Sequence, residues 1–300
     1  MTQKIPPSNS ENKAPTLIGW VALILLSIIW GSSYILIKKG LQAYSPVQVA
    51  CLRLGITALV FTPLLFTRKV YVHFKRWKTL FLVGAIGSLL PAFLFPAAQT
   101  KISSGAAGIL SSLTPLLTFV VGIIAFQQKT TAAKVFGVIL GILGASYLMH
   151  LENTVNFEGF QYGFLIVIAC LGYAVSTNLI KKSLSDIPSL AISAISFALV
   201  GWIALIILVS FTDFTTVLVA HEKGLTSLGY IATLAISSTA LASVVYFKLI
   251  KETSALFAAS VSYLTPVIAV SWGLLDGEVL SILHILGMAL ILAGIYLSKD

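Results

Sequence analysis

The sequence predicts an all-α integral membrane protein: ten transmembrane helices in two inverted five-helix repeats, with both termini cytoplasmic. Three observations carry this. Ten apolar runs are each long enough to span a bilayer. Lysine and arginine gather on one side of the resulting topology. Landmarks in the first half recur, in order, about 150 residues later. The composition points the same way. Apolar residues make up 58% of the 300-residue chain and charged residues 10%, against about a quarter charged in a soluble domain. A mean hydropathy of +0.99 is more than a water-soluble core conceals.

A spanning helix needs about 20 apolar residues. Residues 1–16 form a polar cytoplasmic tail with Lys4 and Lys13. No small-residue cleavage site follows the first apolar run, which reads as a retained helix rather than a signal peptide. Helix 1 (17–38) closes on Lys38-Lys39. Helix 2 (46–67) is headed by Pro46 and carries Arg53. A basic loop, 68–78, leads to helix 3 (79–100). Helix 4 (103–127) contains Ser111-Ser112-Leu113-Thr114-Pro115, and helix 5 (131–149) a row of Gly137, Gly141 and Gly144. These five form the first repeat, 17–149. Helix 6 (159–180) carries Tyr173 and Asn178 and closes on Lys181-Lys182. Helix 7 (189–210) follows Pro188, and a loop at 211–224 leads to helix 8 (225–249). Helix 9 (252–274) contains Ser262-Tyr263-Leu264-Thr265-Pro266. Helix 10 (280–298) follows Gly277-Glu278 and carries Gly287 and Gly294. These form the second repeat, 159–298. Backbone polar groups must be paired within lipid, and the runs are too long and uniformly apolar for barrel strands, so a helical bundle follows.

With the N-terminus inside, the inner side holds fourteen basic residues: Lys4, Lys13, Arg68, Lys69, Lys75, Arg76, Lys78, Lys129, Lys134, Lys181, Lys182, Lys248, Lys251 and Lys299. The outer side holds four: Lys38, Lys39, Lys101 and Lys223. The positive-inside rule then makes both termini cytoplasmic, in a plasma (inner) membrane. The net charge of +9 is thereby accounted for by topology, and no nucleic-acid partner is expected.

Pro115 falls on Pro266 and Leu113-Thr114 on Leu264-Thr265. Gly137 falls on Gly287, Gly144 on Gly294, Lys38-Lys39 on Lys181-Lys182, and Pro46 on Pro188. Five helices per half is odd, so the second half is inverted relative to the first. Two pseudo-symmetric states, open inward and open outward, arise naturally from such a repeat.

On Trp30-Gly31-Ser32-Ser33 followed by Lys38, on the L-T-P of helix 4 and its copy in helix 9, and on Gly277-Glu278 before Gly287 and Gly294, the chain resembles the drug/metabolite transporter superfamily. Within it the likeness is to the ten-helix EamA-like permeases, over about residues 16–298. The resemblance implies a central cavity enclosed by both halves. It implies transport of small metabolites, amino acids or drugs, outward in many members. The first half departs from the pattern at Gln128, where the second half has Glu278.

No catalytic constellation stands out. His73, His150, His221 and His284 lie in loops or near helix ends without metal-pair spacing, and Cys51 and Cys170 offer no disulfide framework. The serines have no activating base nearby in sequence. No cofactor and no metal are expected. The expected partners are a small-molecule substrate and the lipid bilayer, with a monomer as the unit.

Trp30 and its counterpart Tyr173 sit mid-helix beside small neighbours, away from the interfaces where aromatic anchors gather, so they are candidates to line the cavity. Arg53 is expensive at membrane depth and faces either a cavity or the headgroups. Ser33, Gln99, Ser111, Thr114, Asn178, Tyr246, Ser262 and Tyr263 are further polar candidates for the cavity, with helix packing as the alternative. Pro115 and Pro266 are candidate hinges. Each lacks an N–H and frees a carbonyl four residues back, Ser111 or Ser262, and Thr114 and Thr265 stand ready with hydroxyls. The glycine rows of helices 5 and 10 are expected to pack together. The leading functional expectation is a secondary transporter of small organic solutes, in the exporting direction. The rivals are a channel, a membrane-embedded enzyme and a nucleotide-sugar or phosphate-ester carrier. That last rival would want several cations at mid-depth, and Arg53 is the one available.

Overall fold

The computed structural model describes residues 16–126, 130–153 and 159–297, and all regular secondary structure among them is helical. Among the described residues nine segments are long and apolar enough to cross a membrane: α1 (Leu17–Gly40), α2 (Pro46–Leu65), α3 (Arg68–Ala98), α4 (Ser104–Ala125), α5 (Ala132–Leu151), α6 (Phe160–Ser183), α7 (Ser189–Phe211), α8 (Gly224–Glu252) and α9 (Ala255–Leu275). A shorter apolar helix, α10 (Ile282–Leu297), follows. Lys4, Lys13, Gln128, Lys129 and Lys299 lie outside the described residues.

The helix starts are capped by the residues that precede them. Ser45 and Gln48 form a reciprocal capping box at the head of α2, with Pro46 at the first helical position. The side chains of Ser103 and Ser254 accept from Ala106 N–H and Phe257 N–H, opening α4 and α9 alike. Two expected loops carry helix instead. In 68–78, a helical turn (Arg68–Tyr71) and a 3₁₀ turn (Val72–Arg76) run into α3, because Val70 is buried in the core and pins the segment down. In 211–224, a short helix (Phe214–Ala220) forms. Phe214 packs against Tyr44 at 6.0 Å, and Gln48 Nε2 donates to Asp213 Oδ1 at 2.7 Å.

Four of the spans are irregular, and at corresponding places. α3 contains a π-helical stretch at Ala85–Leu89, and α8 contains one at Leu234–Leu241. α4 is interrupted at Ser112 and Leu113, and a new helix starts at Thr114. α9 passes through a 3₁₀ turn at Ser260–Tyr263, and a new helix starts at Thr265. Pro115 and Pro266 therefore stand in the first turn of a restarted helix. There the missing N–H costs nothing, and the chain breaks rather than bends.

The spans pack in matched pairs. The two most extensive interfaces join α2 to α7 and α5 to α10. Small residues let the backbones approach. A Cβ at Gly201 would lie 2.5 Å from the Leu54 carbonyl oxygen. One at Gly294 would lie 2.5 Å from the Gly137 carbonyl oxygen and 2.6 Å from Gly141 N. Gly144 meets Leu290 and Ile291 in the same way, while Gly287 has only ordinary contact with Leu148. Gly141 is filled by Leu116 of α4, so that glycine also serves packing within the first half. Two apolar clusters result. One gathers α1, α2, α3, α7 and α8, and the other centres on α4, α5, α6, α9 and α10.

Gly294→Ala forces backbone apart and should lower stability by about 1–3 kcal/mol. Gly229→Ala, whose Cβ would meet nothing within 4 Å, should change it by less than about 0.5 kcal/mol. Reversible unfolding of the detergent-purified variants measures both, and equal effects would refute the close-packing account.

Candidate central cavity

Between the two clusters lies a cavity of about 110 Å³. That is comparable to the ~150 Å³ engineered cavity that accepts a benzene ring. Trp30, Tyr173, Thr114, Thr239 and Thr265 border it, each near the middle of its span, so it lies at membrane mid-depth.

Of the expected lining residues, the structure brings together Trp30, Ser33, Arg53, Ser111, Thr114, Tyr173, Tyr246 and Ser262. Gln99, Asn178 and Tyr263 are elsewhere. Gln99 is buried at the end of α3, and neither of its amide atoms has a hydrogen-bond partner. Asn178 Nδ2 donates to the Thr118 and Ala174 carbonyls at 3.0 Å each, tying α6 to α4. Tyr263 packs against the second cluster. On an apolar helix the side-chain direction is set by the neighbours, and here it turns these three away from the cavity.

Both proline sites border the cavity through the residues around them. Thr114 Oγ1 donates to the Ser111 carbonyl at 2.7 Å, the carbonyl that Pro115 leaves free. Cys170 Sγ approaches the same oxygen at 3.7 Å. In α9 the pairing shifts by one residue. Thr265 Oγ1 donates to Val261 O at 3.0 Å rather than to Ser262, and Ser27 Oγ of α1 donates to that same carbonyl at 2.9 Å. The Ser262 hydroxyl is left facing the cavity.

The π-helical stretches supply what sequence reading missed, Gly87 and Ser88 from α3 and Thr239 from α8, and they bring Ser238, which the sequence leaves open between packing and lining, to the cavity. A π turn leaves a carbonyl outside the regular ladder. The Ser238 carbonyl accepts Trp30 Nε1–H at 2.8 Å, and this bond turns the indole into the cavity wall. Trp30 also meets Tyr246 edge-on at 4.8 Å, and Tyr246 Oη lies 3.3 Å from Thr177 Oγ1. Opposite, Tyr34, Phe95 and Tyr173 form a second aromatic group with centroids 5.7 and 6.1 Å apart. The missed residues carried a signal. A shift of 143 residues pairs Trp30 with Tyr173, Ser33 with Ser176 and Tyr34 with Thr177. A shift of 151 pairs Ser88 with Thr239, Phe95 with Tyr246, Ser111 with Ser262 and Thr114 with Thr265. Applying the repeat to the candidates finds Ser176, Phe95 and Thr265, but neither member of the Ser88–Thr239 or Tyr34–Thr177 pairs.

Arg53 points inward, not to the headgroups. Its Nε donates to Thr239 Oγ1 at 2.8 Å, and the Tyr173 hydroxyl lies within its reach. Among the described residues it is the only charged one lining the cavity.

At one end of the bundle a charge cluster ties three segments together: the end of α1, the start of α4 and the connection after α9. Lys38 Nζ donates to Glu278 Oε1 and pairs with Asp276 Oδ2, both at 2.8 Å, and Lys39 pairs with Asp276. Glu278 also accepts from Ser104 N–H, Ser104 Oγ and Gly105 N–H at 2.9, 2.7 and 3.0 Å. It thereby caps α4 from 174 residues away, where the helix dipole favours a negative charge. Hydrogen bonds from Lys38 and Lys39 hold Asp276 below the ordinary carboxylate range. Burial pushes the Glu278 carboxyl up, but hydrogen bonds from Lys38, Gly105 and Ser104 outweigh it and hold it low. At the other end Lys181 Nζ donates to the Lys251 and Thr253 carbonyls, and Lys251 Nζ to the Ile187 carbonyl. The Arg76–Asp186 pair at that end, 3.2 Å, is exposed.

Comparison with known proteins bears on what encloses such a cavity. A model of the EamA-like transporter family matches residues 17–149 and again 162–299. An uncharacterized transporter of Archaeoglobus fulgidus is 24% identical, over 93% of this chain and 97% of its own length. A probable amino-acid metabolite efflux pump of Salmonella typhimurium is 25% identical, over 93% and 94%. The uncharacterized inner membrane transporter YedA of Escherichia coli strain K12 is 27% identical, over 92% and 89%. A solved crystal structure, 19% identical, matches 95% of this chain and 96% of its own with a TM-score of 0.64, a likeness of fold.

Both carboxyls of the end cluster are depressed in the folded state. Their stabilisation is therefore complete above the ordinary carboxylate pKa of about 4 and is lost as pH falls through their lower folded values. The unfolding temperature should drop on acidification below about pH 4, and the Asp276→Asn/Glu278→Gln variant should lose most of that acid limb. An identical acid limb in the variant would show that other groups cause it.

Proposed function

The chain belongs to the EamA-like transporter family, and on that premise we propose a secondary transporter that exports a small organic solute by alternating access through the central cavity. The observation that carries this is the placement of that cavity. It lies at mid-depth, against both interrupted helices and both π-helical stretches. Transporter sites are built at broken helices near the midplane. The export direction and the solute class follow the relatives named as efflux pumps. The single cation in the lining favours this over a nucleotide-sugar or phosphate-ester carrier.

The finer architecture of the proposal is ten spans in two inverted repeats, with both termini cytoplasmic. Three findings support it. The family matches twice. The irregular turns recur in the third and fourth spans of each half. The main interfaces join α2 to α7 and α5 to α10, which are counterparts under the repeat. In this reading the charge cluster of Lys38, Lys39, Asp276 and Glu278 is the outer gate. The lysine–carbonyl contacts of Lys181 and Lys251 are the inner one. A single chain encloses the cavity, which supports a monomeric unit.

The restarts before Pro115 and Pro266 act as paired hinges. Single cysteines in 68–78 should label only from the cytoplasmic side and those in 150–158 only from outside. Against that background, Pro115→Ala and Pro266→Ala should bias accessibility of the cavity in opposite senses and slow flux in proteoliposomes. Wild-type flux and accessibility in both variants would reduce the prolines to packing elements.

Trp30→Ala removes the ring that the Ser238 carbonyl holds in the cavity wall. Flux should fall about tenfold or more, while the unfolding temperature shifts by only a few degrees. A loss of flux no larger than the loss of folded protein would count against a lining role.

A further inference from the structure

We propose that the cavity recognises a small organic carboxylate, with Arg53 as the group that holds the carboxylate and with no acidic side chain to pair with a cationic head group. The inference deepens the transporter reading and rests on it only for the direction of movement. Arg53 has a fixed pose, because its Nε–H is spent on Thr239 Oγ1. The π-helical stretch of α8 sets that threonine, whose own hydroxyl donates to the Leu234 carbonyl at 3.1 Å. Arg53 borders the cavity together with Tyr173, so with Nε–H engaged the outer edge of its guanidinium is the part available to a ligand. That edge is a planar pair of donors, which matches a carboxylate with two parallel hydrogen bonds.

The surroundings offer neither a cationic ligand nor the guanidinium a carboxylate counter-ion. Among the described residues no aspartate or glutamate lines the cavity, and Asp276 and Glu278 are engaged by Lys38 and Lys39 at the end of the bundle. A guanidinium at membrane depth is costly unless paired. Here the protein pairs it only with neutral groups, so an anionic ligand completes it. Most of the lining is paired across the two halves, but Arg53 is not. The aligned position in the second half is Ile195, which sits in the first apolar cluster rather than at the cavity. One charge on one side of a largely matched wall gives the ligand a single orientation, head to Arg53. The body then lies between Trp30–Tyr246 and Tyr34–Phe95–Tyr173. The cavity of about 110 Å³ suits a body the size of one ring.

The test uses the whole detergent-purified chain and three probes that differ only in head group: benzoate, benzamide and benzylamine. Benzoate should raise the unfolding temperature in a concentration-dependent way, with benzamide at least about tenfold weaker and benzylamine inactive. Arg53→Gln should weaken benzoate by about tenfold or more without changing its small response to benzamide, and Arg53→Lys, which keeps the charge but loses the fork, should fall between. Equal stabilisation by benzylamine, retention of benzoate binding in Arg53→Gln, or no response to benzoate at millimolar concentration each overturns the proposal. Flux assays separate the two readings. Arg53-dependent binding without any flux sinks the transporter reading alone, and benzoate flux untouched by Arg53→Gln sinks the carboxylate site alone.

Discussion

A backbone carbonyl or N–H left unpaired in lipid costs several kcal/mol, and the arrangement of this molecule follows from that rule. Wherever a span departs from regular helix, another group must meet the freed atom, and that requirement draws the irregular places together. Thr114 meets the Ser111 carbonyl, and Ser27 and Thr265 meet that of Val261. Trp30 meets the Ser238 carbonyl. Four irregular segments converge on one space because polar groups in the interior can be satisfied only by one another, or by a solute and water. The cavity is the place where the rule is relaxed.

The same rule explains why small residues stand where spans cross. The bilayer provides no hydrophobic drive between helices, so association depends on close contact. Gly294 against Gly137 and Gly141, and Gly201 against Leu54 and Ala58, allow backbones to touch. Two rigid pairs, α2 with α7 and α5 with α10, then frame the irregular helices. The irregular spans line the cavity together with regular α1 and α6, and α2 contributes Arg53.

Charge is distributed with equal economy. Four ionised side chains meet at one end of the bundle, where Glu278 serves both as partner of Lys38 and as cap of α4. A single helix start, a helix end and a loop are thereby held by one carboxylate. Opening that end requires three attachments to part together, so a local contact has a cooperative consequence. Inside the bundle the only charge at the cavity among the described residues is Arg53, and a hydroxyl on the far half of the chain orients it.

The sequence by itself determined the class, the positions of the spans, the capping serines, the prolines that interrupt α4 and α9, and the glycine rows. These are local properties: length of apolar run, absence of an N–H, absence of a side chain. It also marked Trp30, Arg53 and Tyr173 through their cost or their place within a span. The tertiary structure alone decided which way side chains face. A helix that is apolar all round has no hydrophobic phase to read, so Gln99, Asn178 and Tyr263 looked no different from Ser33 or Tyr246. Tertiary structure also decided the π-helical stretches, which carry no residue signature because a slipped hydrogen bond depends on what packs outside it. Thr239 orients Arg53 across 186 residues of chain, and Glu278 caps a helix 174 residues away. Contacts between such distant positions exist only once the spans have assembled.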